Sequence, residues 1–171
     1  MHPGPAGPGV AVYDSAPLGD PATMIGATKV SIDYDSTDAT SLQLDSRLYD
    51  VFPDGTAVLV DRGPRRVTSP NGTVTYELQG NAYRFQPGHK IRIEVTQDDS
   101  QYLKSSIVPS STTIHAVRLS VPVREPQRRD FPNAAKFCDA QRAFLGDDSF
   151  RARYGTNKNG ANAFGKCVSS G

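Results

Sequence analysis

NAYRFQPGHKIRIEV, residues 81–95, is the stretch that most strongly indicates the fold. Pro87 followed by Gly88 predicts a tight turn, because proline presets φ and glycine accepts a positive φ. After the turn, aliphatic side chains at 91, 93 and 95 alternate with charged ones at 92 and 94. Period-two alternation is typical of a strand with one buried and one wet face. The turn and the strand together predict an antiparallel β-sandwich.

Strand and turn signals continue on both sides of this stretch. Phe52-Pro53-Asp54-Gly55 and Asn71-Gly72 are hairpin signals, and residues 62–66 (RGPRR) predict a basic turn. Residues 10–13 are a short apolar segment, and strands are predicted at 22–26, 29–35, 42–51, 56–61, 73–78 and 113–123. With the opening stretch this gives about eight strands at sandwich-like spacing, and no helical period before residue 126. The pattern favours an all-β fold of jelly-roll type.

Composition divides the chain into three parts. Residues 1–9 are rich in Pro and Gly and predict a flexible linker, so we expect a fragment of a longer protein. Residues 10–125 carry the β pattern and predict the sandwich domain. Residues 126–171 predict a small helical appendage, in which Asn133 caps a helix over 134–145 and Gly146 ends it. A second short helix is expected over 147–154, and a last turn over 161–168.

Both cysteines, Cys138 and Cys167, lie in this appendage. A piece of about 40 residues is marginal without a covalent link. A disulfide is therefore expected, with two buried free thiols as the alternative. A metal site is not expected, because two cysteines without a nearby histidine supply too few ligands. A disulfide would imply export from the cell, so a secreted protein is expected.

The sequence lacks the pattern of a hydrolase active site. There is no G-x-S-x-G elbow, and we interpret His89 and His115 as structural residues. No catalytic residue, cofactor or metal ligand is therefore assigned. His89→Ala is expected to change stability at most modestly.

Three further groups of residues have alternative interpretations. An acidic set is interpreted as a solvated rim, with calcium binding as the alternative; its members are Asp33, Asp35, Asp38, Asp50 and Asp54. A basic set could form a patch, although it lacks the interleaved aromatic residues of a nucleic-acid groove; its members are Arg62, Arg65, Arg66, Lys90 and Arg92. Five rings are expected mainly in the core, with contact to a ligand or a neighbouring domain as the alternative; they are Tyr49, Phe52, Tyr83, Phe85 and Tyr102.

Several segments, in order, resemble the C-terminal domain of the X-Pro dipeptidyl-peptidase family and the related cocaine-esterase-like hydrolases. They are APL at 16–18, ATMIG at 22–26, LQLDSRLYDVFPDG at 42–55, DRG with RR at 61–66, FQPGHKIRI at 85–93 and LSVPV at 119–123. The resemblance covers residues 10–124. It implies a galactose-binding-like jelly roll that carries no catalytic residue, packs on a catalytic α/β-hydrolase domain of the same polypeptide and helps shape its substrate entrance.

The tail departs from that family. FRARYGTNKNGANAFGKCV, residues 150–168, resembles a cysteine-bearing segment at the ends of exported actinobacterial proteins, which also implies export.

The expected function is thus a non-catalytic accessory domain of a secreted hydrolase. The alternatives are a free-standing module that binds carbohydrate or another wall polymer, and an enzyme within this chain. The absence of Trp and the net charge of +1 weigh against Trp-platform carbohydrate binding and against nucleic-acid binding, respectively. No apolar run is long enough to predict a membrane span.

Overall fold

Ten strands and three α-helices form in the residues that the structure, a computed structural model, describes: 2–3, 9–37, 42–99, 101–102 and 110–170. The strands are β1 His2–Pro3, β2 Val10–Asp14, β3 Ala22–Gly26, β4 Lys29–Ser36, β5 Gln43–Val51, β6 Ala57–Arg66, β7 Asn71–Glu77, β8 Asn81–Phe85, β9 Lys90–Thr96 and β10 Thr112–Ser120. The helices are α1 Ala134–Leu145, α2 Asp147–Tyr154 and α3 Ala163–Ser170, preceded by a 3₁₀ turn at Arg128–Asp130.

The strands form three antiparallel sheets around one apolar core. One sheet has the order β1-β2-β9-β5-β6, the second β10-β4-β7, and the third pairs β3 with β8. Met24, Ile32, Leu48, Phe85 and Ile93 are fully buried in the shared core, and they come from all three sheets. The predicted antiparallel β-sandwich is therefore confirmed.

Alternation predicted the buried faces correctly. In β4, Val30, Ile32 and Tyr34 are buried, and in β9, Ile93 and Val95 are buried with the partly buried Ile91 packed beside them. A hydrophobic face of this kind fixes the register, because a slip of one residue would expose it to water.

Two of the four predicted turns are present. The hairpin at residues 52–55 is closed by hydrogen bonds from the Phe52 amide to the Thr56 carbonyl (2.8 Å) and from the Gly55 amide to the Phe52 carbonyl (2.9 Å). The turn at 86–89 is closed by the His89 amide on the Gln86 carbonyl (3.2 Å), with Gly88 at φ +83°. The prediction of a hairpin at Asn71-Gly72 was wrong. These residues begin β7, which pairs with β4 in the three-stranded sheet, whereas the preceding strand β6 belongs to the five-stranded sheet.

The basic turn predicted at 62–66 was also wrong. These residues continue β6 and pair with residues 43–47 of β5. A Gly-Pro pair ordinarily interrupts a sheet because proline has no N–H to donate. Pro64 is accommodated here because β6 is the outermost strand of its sheet.

The last strand ends earlier than predicted. β10 stops at Ser120, and its register shifts between Ile114 and Ala116. The shift lets Ile114 and Val117, three positions apart, both pack against the core. A simple period of two does not anticipate such a bulge.

The chain divides into two compact units, residues 1–122 and 123–171, where the sequence predicted a boundary between 125 and 126. Within the segment predicted as a linker, His2–Pro3 pair antiparallel with Tyr13–Asp14 as a short edge strand. Residues 4–8 of that segment lie outside the described residues, as do Asp38 of the acidic set and most of the polar connection at 98–110.

The second unit is a three-helix appendage around a disulfide. Asn133 caps α1 by accepting the Lys136 amide hydrogen (2.9 Å), and the following Gly146 has a φ of +79°. Cys138 and Cys167 form the predicted disulfide between α1 and α3. Phe150 of α2 is buried beside them. The small core explains why a covalent link matters in this unit.

We expect two glycine substitutions in the appendage to act in opposite directions. A Cβ on Gly155 would lie 2.5 Å from the Arg151 carbonyl oxygen and 2.6 Å from the Gly160 Cα, whereas a Cβ on Gly165 in α3 would meet nothing within 4 Å. Gly155→Ala should destabilise the appendage by about 1–3 kcal/mol through this clash. Gly165→Ala should stabilise it by about 0.5–1 kcal/mol, since alanine is the better helix former. Thermal unfolding followed by circular dichroism at about 222 nm measures both, because the α-helices that the structure describes all lie in this unit. Shifts of Tm in the same direction for both variants, or no shift for either, would contradict the prediction.

Candidate functional site

Three of the sequence motifs meet at one end of the sandwich. The Gly88 amide donates to the Leu18 carbonyl (2.7 Å), and the Leu18 amide donates to the His89 carbonyl (2.8 Å). Pro53, in the neighbouring hairpin, lies so close to Gly88 that a Cβ there would be 3.8 Å from its Cγ. The segments APL, FPDG and PGH, far apart in sequence, therefore form a single end of the sandwich.

A buried carboxylate lies beneath these turns. Asp50 is only 1% exposed, and it accepts a hydrogen bond from the Tyr83 hydroxyl (2.9 Å). His89 Nδ1 lies 3.0 Å from each of the two Asp50 carboxylate oxygens, and His89 is 9% exposed. Because a carboxylate only accepts hydrogen bonds, Nδ1 carries the hydrogen. Asp50 thus links the β5 strand to the turn and to β8.

Phe52 completes the cluster of Asp50, Tyr83 and His89. The Phe52 ring lies on the His89 ring, with centroids 4.4 Å apart. Burial, together with the hydrogen bond and the charge of Asp50, raises the pKa of Tyr83 to about 12. The Tyr83 hydroxyl therefore stays protonated at neutral pH and remains a donor to Asp50.

An Asp-His pair can form part of a nucleophilic site, but a hydroxyl or thiol must then lie on the other ring nitrogen. Among the described residues, no serine, threonine or cysteine hydrogen-bonds to His89. Both cysteines are in the disulfide. The observed contacts hold the PGH turn and the FPDG hairpin against strand β5.

The burial of Asp50 corrects its assignment to a solvated acidic rim. Asp35 and Asp54 are exposed, as that interpretation requires, but Asp50 is in the interior. The sequence did not reveal its pairing with His89, because the two residues are 39 positions apart. The family motifs quoted above contain both residues, and the strand pairing of Val51 with Lys90 brings them together.

The five candidate rings do not share one surface. Phe52 and Tyr83 are half-buried around Asp50, and Phe85 is fully buried in edge-to-face contact with Tyr83 at 5.0 Å. Tyr49 is half-buried on another part of β5, and the Tyr102 hydroxyl accepts a hydrogen bond from Gln79. Phe85 follows the core-packing interpretation and offers no exposed ring in this chain.

The residues of the basic set do not lie together in one patch. Lys90 pairs with Val51 at one end of β5, whereas Arg66 pairs with Gln43 at the other. Two of the remaining cations are held by carboxylates: Arg92 Nε lies 2.7 Å from Asp14, and Arg62 Nη1 lies 3.3 Å from Asp99. The hydrogen bond from Arg92 lowers the pKa of Asp14. The charges are thus spread along the sheet and partly neutralised within it.

Asp45 and Asp99 are two further buried acids, 1% and 4% exposed. Gln43 Nε2 donates to Asp45 Oδ1 at 2.9 Å, and one oxygen of Asp99, Oδ2, is buried without a hydrogen-bond partner. Burial is the main cause that raises the pKa of Asp45, and the nearby charge of Asp99 adds to it. At neutral pH the Asp45 charge therefore destabilises the folded state.

Asp45→Asn is expected to stabilise the sandwich at pH 7. The folded-state pKa is above the unfolded value, so the penalty is present at neutral pH and disappears as pH falls through the folded pKa. We expect a gain of about 1 kcal/mol, or about 2–4 °C in Tm, that shrinks toward pH 4. Asp98→Asn is the matched control, because Asp98 is an exposed acid next to Asp99 and should have no comparable effect. A loss of stability at pH 7 would show that the hydrogen bonds of the carboxylate outweigh its burial.

His115 is exposed on the second sheet. Its Nε2 lies 2.8 Å from Asp35, which is also exposed. Within the described part of the chain, no three of His, Cys, Asp and Glu gather as a metal site. The helices of that part include none long and apolar enough to cross a membrane.

Residues 3–131, which include the Asp50 cluster and the APL, FPDG and PGH segments, match the family described as the X-Pro dipeptidyl-peptidase C-terminal non-catalytic domain. The chain belongs to this family. The match covers more than half of the chain, and it confirms the resemblance found in the sequence motifs. No curated protein matches the sequence.

Solved structures share the fold of this non-catalytic domain. An α-amino acid ester hydrolase superposes with a TM-score of 0.55 at 19% identity, over 68% of this chain and 26% of that one. An aminopeptidase from a marine sediment archaeon, Thaumarchaeota, superposes with a TM-score of 0.51 at 15% identity, over 67% of this chain and 26% of that one. A CocE/NonD family hydrolase from Staphylococcus aureus superposes with a TM-score of 0.52 at 11% identity, over 67% of this chain and 30% of that one. The chain thus spans between a quarter and a third of the length of these proteins.

Proposed function

We propose that this chain is the non-catalytic accessory domain of a secreted serine hydrolase of the X-Pro dipeptidyl-peptidase or esterase type. In this proposal a galactose-binding-like sandwich packs on a catalytic α/β-hydrolase domain of the same polypeptide and helps shape access to its active site. Family membership over residues 3–131 carries the proposal, since that family is described as C-terminal and non-catalytic.

Two further observations support it. The similar solved structures are named as hydrolases or an aminopeptidase, and the matched region is only 26–30% of their length. The disulfide supports the secreted location, because such bonds persist mainly in oxidising compartments.

The test begins with the complete natural polypeptide. We expect it to contain a G-x-S-x-G hydrolase domain, to occur in the culture medium, and to hydrolyse short esters or X-Pro nitroanilides. The 171-residue chain alone should show no turnover. A natural polypeptide without a hydrolase domain would contradict the proposal. Retention of the isolated chain on cell-wall polysaccharide would support a binding module instead.

The effect on access is tested by substrate size. In a complete polypeptide from which residues 10–125 are deleted, kcat/KM for a small acetyl ester should change less than kcat/KM for a peptide substrate. A parallel fall for both substrates, together with a lower Tm, would indicate that the domain stabilises the enzyme without shaping access.

A further inference from the structure

An apolar residue remains exposed on the inner side of the five-stranded sheet. Val58 pairs directly with Asp50 in the β5–β6 ladder. Directly paired residues point to the same face of a sheet, and the Asp50 side chain faces inward to Tyr83 of β8. Val58 is nevertheless 44% exposed. The core-facing side of the edge strand β6 is therefore uncovered at Val58.

Exposed prolines lie at the same end of the sheet as Val58. Pro17, Pro53 and Pro87 are exposed residues of the three segments, APL, FPDG and PGH, that hydrogen bonds and close contact bring together. We call Pro17, Pro53, Val58 and Pro87 the turn-end surface. Proline loses little conformational entropy on binding, because its φ is already fixed.

The turns that present this surface are held firmly. Asp50 anchors the PGH turn through His89, and Phe52 packs on the same imidazole. The Asp54 carboxylate accepts the Thr56 amide (2.9 Å) and hydroxyl (2.7 Å), which fixes the FPDG hairpin. A surface that is rigid before binding is favourable for docking, because less order must be imposed on association.

The chain also enters the sandwich at this end. His2 pairs with Asp14. Ser15, which follows Asp14, donates its amide hydrogen to the carbonyl of Ile91, and Ile91 is two positions after His89. Val10, at the start of β2, pairs with Thr96 at the opposite end. A domain that precedes the sandwich in the polypeptide would therefore join it beside the turn-end surface.

We infer that the turn-end surface is where the sandwich docks on the catalytic domain of its own polypeptide. The inference rests on the proposed function, in which a catalytic domain belongs to the same chain. It follows from the exposed Val58, the rigid proline turns and the position of His2, and from relatives that are three to four times the length of the matched region. Ile25 offers a contrast: it is 56% exposed, but it pairs with Ala82 at the far end of the two-stranded sheet from the PGH turn.

Hydroxyl-radical footprinting of the complete natural polypeptide and of the 171-residue chain tests the inference. Labelling of Pro53, Val58 and Pro87 should be about tenfold slower in the complete polypeptide, because a docked interface excludes water. Labelling of Ile25 should be the same in both. Val58→Glu in the complete polypeptide should restore labelling of Pro53 and Pro87 to within about twofold of the isolated chain, and Ile25→Glu should not.

The alternative outcomes separate this inference from the proposed function. Equal labelling of the turn-end surface, with protection elsewhere on the sandwich, overturns the inference and leaves the accessory role intact. Protection that increases with protein concentration assigns the surface to a second copy of the chain and also overturns it. A natural polypeptide without a catalytic domain overturns both.

Discussion

Replacing Cys138 and Cys167 together by serine is expected to unfold the helical appendage and leave the sandwich folded. The bridge joins residues 29 positions apart, and a loop of that length gives a stabilisation of about 3–4 kcal/mol on the chain-entropy model. The rest of the appendage core is small: among the described residues of this unit, Phe150 and Ala163 are the only buried hydrophobic side chains besides the cysteines. A core of that size supplies about as much stability as the bridge itself. Loss of the bridge should therefore shift this unit largely to the unfolded state.

The measurement uses the separation of secondary structure between the two units. The described α-helices lie at 134–170, so the helical circular dichroism signal should fall strongly in the double variant while the β transition keeps its midpoint. Reduction of the unmodified protein is the control, since it breaks the bond without changing side-chain size. If the helical signal survives both treatments, packing alone holds the appendage together.

Local patterns determined most of what was predictable. Ile91, Ile93 and Val95 could be assigned to one face because strand alternation depends only on neighbouring residues. The helix after Asn133 was predictable for the same reason, since its cap and its end are marked in the sequence. The wrong predictions arose where the position of a segment in the folded sheet, and not its local sequence, decided its structure. Gly63-Pro64 reads as a turn, but it is accommodated in a strand because that strand is at a sheet edge.

The contacts of the candidate site were harder to predict than the strands, because they depend on which strands lie side by side in the folded sheet. His89 was predicted as a turn residue with a modest structural role, since residues in β-turns are usually exposed. The turn is present, but His89 is buried because β5 and β9 lie side by side and place Asp50 beneath it. The ladder register is a property of the folded sheet, and no spacing within the sequence encodes the 39-residue separation of this pair.

Asp50→Ala is expected to destabilise the sandwich by about 3–5 kcal/mol. The substitution removes the acceptor of the buried His89 Nδ1–H and of the half-buried Tyr83 hydroxyl, and an unsatisfied buried group costs about 1–3 kcal/mol. His89→Ala should cost about 3 kcal/mol, because it leaves the carboxylate buried with a single donor and removes the stacking on Phe52. This is larger than the modest effect expected from the sequence. Tyr83→Phe should cost only about 1 kcal/mol, since His89 still satisfies Asp50.

The chain contains its own matched control, because Asp35 and His115 form a second Asp-His pair that is exposed. Asp35→Ala should change stability by no more than about 0.5 kcal/mol, since water replaces the lost partner of an exposed pair. Urea unfolding of all four variants, with m-values compared, gives the free energies. The difference between the Asp50 and Asp35 variants then reports burial together with the additional Tyr83 hydrogen bond, because both pairs join an aspartate to an imidazole. Similar small losses in both variants would mean that the Asp50 cluster relaxes to admit water, and that it does not hold the turns rigid.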